Sequence, residues 1–151
     1  MNTYRVEESA VIEAPAARIY AILADYHVGH PSILPARYFT ATTVTQGGRG
    51  AGTEITVTMN VYGSKATYQM KVSEPEPGRV LQEEDVAAGI VTTFMVDALN
   101  DAQARVTIAT TTRNSPGLKG WVEKLTTPSI MRRIYREELA QIADVVTKRA
   151  V

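Results

Sequence analysis

Apolar and polar positions alternate two by two along most of this chain and by threes and fours over its last third. Residues 53–61 set Ile55, Val57, Met59 and Val61 against Glu54, Thr56, Thr58 and Asn60. Residues 65–72 set Ala66, Tyr68, Met70 and Val72 against Lys65, Thr67, Gln69 and Lys71. A period of two is that of a half-buried strand. Strand-like sequence also covers 4–12, 38–45, 80–85, 91–97 and 105–112, which brings the predicted strands to seven. Gly63-Ser64, the run Glu74-Pro75-Glu76-Pro77-Gly78 and Asn100-Asp101 predict turns between them. Short turns imply an antiparallel sheet. Between the first two strands, Ala14-Pro15 opens a helix with Ile19, Ile22 and Leu23 on one side, ending near Asp25. Residues 26–35 predict a short irregular or helical connector. Over 119–151, Trp121, Leu125, Met131, Ile134, Tyr135, Leu139, Ile142 and Val146 follow a helical period. Arg132, Arg133, Arg136, Glu137, Asp144 and Lys148 fill the opposite face, as in a helix lying on a sheet. Pro128 predicts a kink or interruption within the turn before it, because proline removes a helical hydrogen bond.

Seven strands spaced about 4.8 Å apart make a sheet roughly 29 Å wide. A helix with its side chains is only about 10–12 Å across. One helix cannot cover such a sheet while it stays flat, so the sheet must curl around the helix. That wrap leaves room between the two. The inward set expected from the sheet is Met59, Tyr68, Met70, Phe94, Val96 and Ile108; from the helix it is Trp121, Leu125, Met131 and Tyr135. Of these, Met59, Tyr68, Met70, Phe94, Trp121, Leu125, Met131 and Tyr135 are the candidate ligand-binding residues. Apolar walls with a few phenol and hydroxyl tips suit a bulky, mostly hydrophobic ligand. The competing expectation is that the same side chains simply fill a core, with methionine closing its gaps.

Length and charge narrow the classes. The chain has 151 residues, a size that fits one domain over 1–151. Lys plus Arg number 16 and Asp plus Glu number 16, so no long-range field attracts nucleic acid. Without cysteine there is no disulfide, thiolate zinc site or cysteine nucleophile. No apolar run approaches the roughly 20 residues of a membrane-spanning helix, and no signal-peptide core is visible at the start. These features lead to the expectation of a cytoplasmic protein without an integral membrane segment.

Candidate chemistry is sparse. The stretch Gly47-Gly48-Arg49-Gly50-Ala51-Gly52 has no Walker lysine and leads into a strand, so it reads as a connecting loop and not as a phosphate cradle. His27 and His30 lie three apart and can share one face of a helical turn. Two histidines do not make a zinc site, so no metal and no cofactor are expected; either histidine can serve as a general base at a cavity mouth. Glu84 shares strand parity with Val80 and Gln82. If that face is the inner one, Glu84 is a buried carboxyl with acid–base capacity; Leu81 argues for the opposite parity. His27, His30 and Glu84 are the catalytic candidates, with Tyr68 and Tyr135 as further groups to test.

Several elements in order carry a resemblance. These are Ile12-x-Ala14-Pro15 before a helix bearing residues 19–26, Gly50-Ala51-Gly52-Thr53 opening a strand, residues 74–79 between strands, and the C-terminal helix. Together they resemble the START-like superfamily, also called the polyketide cyclase/dehydrase-like or SRPBCC superfamily, over essentially the whole chain. The resemblance implies an α+β helix-grip fold, in which a curved seven-stranded antiparallel sheet wraps a long C-terminal helix, with short helices after strand 1. It implies carriage of lipids, sterols, quinones or plant hormones, or cyclisation of polyketides, and it assigns no catalytic residue. Three readings follow: a binder of a hydrophobic small molecule, a cyclase-, dehydratase- or hydrolase-type enzyme in the same cavity, and an interaction module. In the last, the groove binds a partner protein or a second copy in a homodimer, with loop residues 113–117 as contact or gate.

Overall fold

A computed structural model describes residues 3–113 and 128–148. Strands β1 (Thr3–Ile12), β2 (Phe39–Gln46), β3 (Glu54–Val61), β4 (Ser64–Glu76), β5 (Val80–Asp85), β6 (Ile90–Asn100) and β7 (Gln103–Arg113) form one sheet. Helices α1 (Ala16–Ala24) and α2 (Gly29–Ser32) follow β1, and α3 (Pro128–Lys148) closes the described chain. The strand order is β1-β7-β6-β5-β4-β3-β2, antiparallel throughout. From β2 to β7 each strand pairs with its sequence neighbour, as short turns require. The one long crossing is made by α1 and α2, which carry the chain from β1 at one edge to β2 at the other. All seven predicted strands are present, and the fold is the helix grip.

Three local expectations shift. Pro15 stands one residue outside α1 as its N-cap, extended at φ −62° and ψ 140°, and its carbonyl accepts from Arg18 and Ile19 N–H. The turn expected over residues 74–78 begins later, because β4 continues to Glu76 across a register shift between Ser73 and Glu76. Pro75 falls in that irregularity, where a strand tolerates a residue with no N–H to give. The β3–β4 hairpin turns at Tyr62-Gly63, one residue earlier than expected. Both have positive φ, 49° and 87°, as a two-residue hairpin of this hand demands.

The core lies between the concave face of the sheet and the apolar stripe of α3. Ile134, Leu139, Ile142 and Val146 are buried, as are Val6, Leu81, Phe94, Val96, Val106 and Ile108 from the strands. Arg132 and Arg136 of α3 reach Glu8 of β1 at 3.8 and 3.2 Å and tie the helix to the sheet edge. The described helix begins at Pro128, so the interruption expected just before that proline, together with residues 119–127, lies outside the described residues.

Candidate functional site

A cavity of about 100 Å³ opens between the sheet and α3. Its walls come from β3 (Ile55, Val57, Met59), β4 (Tyr68, Met70) and β6 (Ile90, Phe94), with Met131 and Ile134 from α3. Strand alternation produces this wall directly, since every second residue of each strand turns to the concave side. Leu34, from the segment after α2, and Phe39, which opens β2, border it as well.

Six of the eight residues expected to meet a ligand line this cavity: Met59, Tyr68, Met70, Phe94, Met131 and Tyr135. Trp121 and Leu125 lie outside the described residues. Val96 and Ile108, expected to face inward, are buried in the core but do not border the cavity.

The three catalytic candidates part company. His30 enters the cavity wall and is 2% exposed. His27 is exposed, its ring lying over the backbone of Gly48, so a Cβ built at that glycine would stand 2.0 Å from His27 Nε2. Glu84 shares its face with Val80 and Gln82, and that face is not the inner one. Leu81, Glu83 and Asp85 are the buried positions of β5. The parity argued from Leu81 therefore holds, and Glu83 occupies the cavity where Glu84 was the candidate.

Around Glu83 the polar groups are tightly arranged. Tyr26 donates its hydroxyl to Glu83 Oε2 at 2.7 Å. His30 Nε2 lies 3.2 Å from the same oxygen. His30 Nδ1 is 2.8 Å from the Leu23 carbonyl oxygen, which can only accept, so Nδ1 carries a proton. A hydrogen bond from Nε2 to the carboxylate then requires an imidazolium; the alternative is a proton on Glu83. Tyr26 stacks on His30 with ring centroids 4.4 Å apart, and Phe94 meets it edge-on at 5.2 Å. Burial, then the nearby Glu83 charge, pushes the Tyr26 phenol well above its usual range, so it stays a donor.

A second carboxyl lines the cavity from the helix. Glu138 is 2% exposed and sits on the apolar stripe of α3, four residues from both Ile134 and Ile142. Burial first, and the Glu83 charge second, raise its pKa well above the ordinary carboxyl range. One turn earlier on the helix, Tyr135 shares a hydrogen bond with Thr110, which is paired at 2.8 Å with Thr92. Burial pushes the Tyr135 phenol upward too. The cavity therefore offers mostly hydrocarbon walls, a hydroxyl ladder and two buried carboxyls.

Glu138 escaped the sequence reading, although the Ile134–Glu138–Ile142 spacing places it on the buried stripe. For Glu83, the parity of Leu81 was the available signal. Among the described residues no group of three His, Asp or Glu is placed to hold a metal ion.

The glycine-rich stretch is a clasp. Tyr26 N–H donates to the Gly48 carbonyl and Gly50 N–H to that of Ala24, so the loop grips the α1–α2 joint. Glu74 holds it from below, accepting from Tyr20 hydroxyl at 2.6 Å and from Ala51 N–H at 2.8 Å. Asp25 accepts from the backbone N–H groups of His27, Val28 and Gly29. Burial works against its charge, but these donors and Arg49 outweigh it and hold the carboxyl below its ordinary pKa.

Comparison with known proteins agrees with this architecture. The KanY protein, solved by NMR, is 26% identical, with a TM-score of 0.82 over 97% of this chain and 99% of that one. The Zhui aromatase/cyclase from Streptomyces sp. R1128 is 17% identical, with a TM-score of 0.74 over 99% of this chain and 97% of that one. A START superfamily protein from Mycobacterium smegmatis is 11% identical, with a TM-score of 0.72 over 95% and 97%. No curated protein sequence matches the chain. The family described as polyketide cyclase / dehydrase and lipid transport matches residues 3–147. With nearly the whole described chain inside that match, this protein belongs to the polyketide cyclase / dehydrase and lipid transport family.

Proposed function

We propose that residues 1–151 form one ligand-binding domain that holds a mostly apolar small molecule, lipid-like, polyketide-like or aromatic, between sheet and α3. The observation that carries this reading is the cavity wall: Ile55, Val57, Met59, Met70, Phe94 and Met131 present hydrocarbon and thioether surface, with polar groups confined to a few positions. Such a site gains affinity from apolar burial and orientation from its few polar tips. Family membership and the helix-grip fold support the same reading. Native mass spectrometry of freshly purified protein, followed by denaturing extraction, tests it. The expected result is a retained small-molecule mass that disappears on denaturation. An empty protein that takes up no member of an apolar ligand panel would overturn it. Place of action is part of the proposal. A chain without cysteine suits the reducing cytoplasm, and cell fractionation tests that assignment.

A second reading, acid–base catalysis on the bound molecule, is favoured by one observation. Glu138 and the His30–Glu83 pair bring ionisable groups into a largely apolar space. A general acid or base works best when its pKa is moved towards the working pH, and burial moves Glu138 in that direction. The test is conversion of the extracted ligand by wild type against Glu138→Gln. Loss of about 10²-fold or more in kcat is the expected outcome for a catalytic proton donor. Undiminished turnover would remove Glu138 from that role.

A further inference from the structure

The cavity's charged groups carry information about the charge of its ligand. Glu138 is buried, borders the cavity and makes no hydrogen bond among the described residues. Glu83 directs one oxygen, Oε2, at both Tyr26 and His30, and its other oxygen accepts nothing among the described residues. Two carboxyls thus face one apolar space with accepting capacity to spare. Among the described residues no lysine or arginine lines that space, and its ionisable groups besides the two carboxyls are His30, Tyr68 and Tyr135.

A buried carboxyl short of donors is destabilising, and a second carboxyl near it makes it more so. An anionic ligand would add to the repulsion. A neutral acceptor would satisfy Glu138 only in its protonated form and would leave the second Glu83 oxygen bare. A metal ion lacks its ligand set, since no group of three His, Asp or Glu is placed to hold one among the described residues. An ammonium group brings both what is missing: a positive charge and three N–H donors, enough to serve both carboxyls at once.

We propose that the molecule held in this cavity is an organic amine, its apolar body against Ile55, Met70 and Phe94 and its ammonium set between Glu83 and Glu138. This rests on the reading that the cavity holds a mostly apolar small molecule, and it names the chemical class of that molecule.

Two consequences are measurable. Binding of the cation favours ionised Glu138, so binding releases protons and affinity rises with pH below the pKa of the empty site's Glu138. A neutral ligand that accepts from protonated Glu138 shows the reverse. His30 also faces Glu83 in this cavity, so the pH dependence must be compared with a variant in which only Glu138 changes.

The experiment is isothermal titration calorimetry with matched probes on two frames: octylamine against octan-1-ol, and 4-phenylbutylamine against 4-phenylbutan-1-ol. Each is measured between about pH 5 and 8 in buffers of different ionisation enthalpy. On at least one frame the amine is expected to bind about tenfold or more tightly than its alcohol, with net proton release. Glu138→Gln is expected to reduce that preference to about threefold or less, and an unchanged circular-dichroism spectrum of the variant shows that the fold is intact. Alcohols that bind as well as amines on both frames would overturn the amine assignment and leave the cavity reading standing. So would an amine preference that survives Glu138→Gln unchanged. If no probe binds on either frame, the cavity reading fails and the amine assignment with it.

Discussion

Glu138 is the residue on which most of the electrostatics turns. It stands inside an apolar helix stripe, close enough to Glu83 to feel its charge, with its pKa raised by burial and by that charge. A carboxyl whose folded-state pKa lies above its unfolded value binds its proton more tightly in the folded protein. Its contribution to stability is fully present below the unfolded pKa and is lost as pH rises through the folded one. The ligand-free protein should therefore lose stability as pH climbs out of the ordinary carboxyl range. Glu138→Gln should flatten that slope and, on its upper side, stabilise the fold by about 1–3 kcal/mol. Urea midpoints of wild type and variant across that range check the claim; parallel curves would refute it. Glu83 is the opposite case. It accepts from buried Tyr26 and faces buried His30, so Glu83→Ala leaves two polar groups without their partner. A loss of about 3–5 kcal/mol is expected from breaking such a buried cluster, read as a lower urea midpoint at unchanged slope.

At the scale of elements, the α1–α2 joint decides whether His30 reaches the cavity at all. The sharp turn between the helices presses Gly29 against α1, and a Cβ there would stand 2.3 Å from the Ile22 carbonyl oxygen. Gly29→Ala is expected to cost about 1–3 kcal/mol, because backbone and not a flexible side-chain end is in the way. Thermal unfolding measures it, and an unchanged midpoint would mean that the joint relaxes freely. The glycine loop holds the same joint from the other side through Glu74. Glu74→Ala removes the acceptor of both Tyr20 hydroxyl and Ala51 N–H and should cost about 1–3 kcal/mol. In hydrogen exchange the amide of Gly50, bonded to the Ala24 carbonyl, should lose protection in that variant before the strands do. This element shows well where sequence reading stops. The loop was legible as a loop because it lacks phosphate-binding chemistry and leads into a strand. What it clasps was not legible, because Glu74 lies 23 residues from Ala51 in the chain and meets it only once the sheet has curled.

For the whole molecule, the period of two was enough to find strands such as β3, β5 and β6, since each has one buried face that a register slip would expose, whereas β2 has no buried position and was legible by its threonines. The curl of the sheet followed from its width against one helix. Less legible was anything decided by one residue's parity. Glu83 and Glu84 are chemically identical neighbours, and only the side on which Leu81 lies separates a cavity carboxyl from one on the other face. Glu138 was hidden differently: a charged residue among Arg136, Glu137 and Ala140 looks solvent-facing until its spacing from Ile134 and Ile142 is counted. Those two residues account for much of the cavity's polar character, which is why an apolar wall was readable and its charge was not.

The central claim is that the space between sheet and α3 is a ligand site, and the methionines provide its most direct test. Met59, Met70 and Met131 border the cavity, while Met95 alternates onto the other face of β6 between inward Phe94 and Val96. Methyl-carbon-labelled methionine gives each a resolved NMR signal. Titration with the extracted ligand, or with the tightest-binding probe, should shift Met59, Met70 and Met131 together and leave Met95 in place. A ligand that binds while those three signals stay fixed would contradict the account, because it would place the site elsewhere on the molecule.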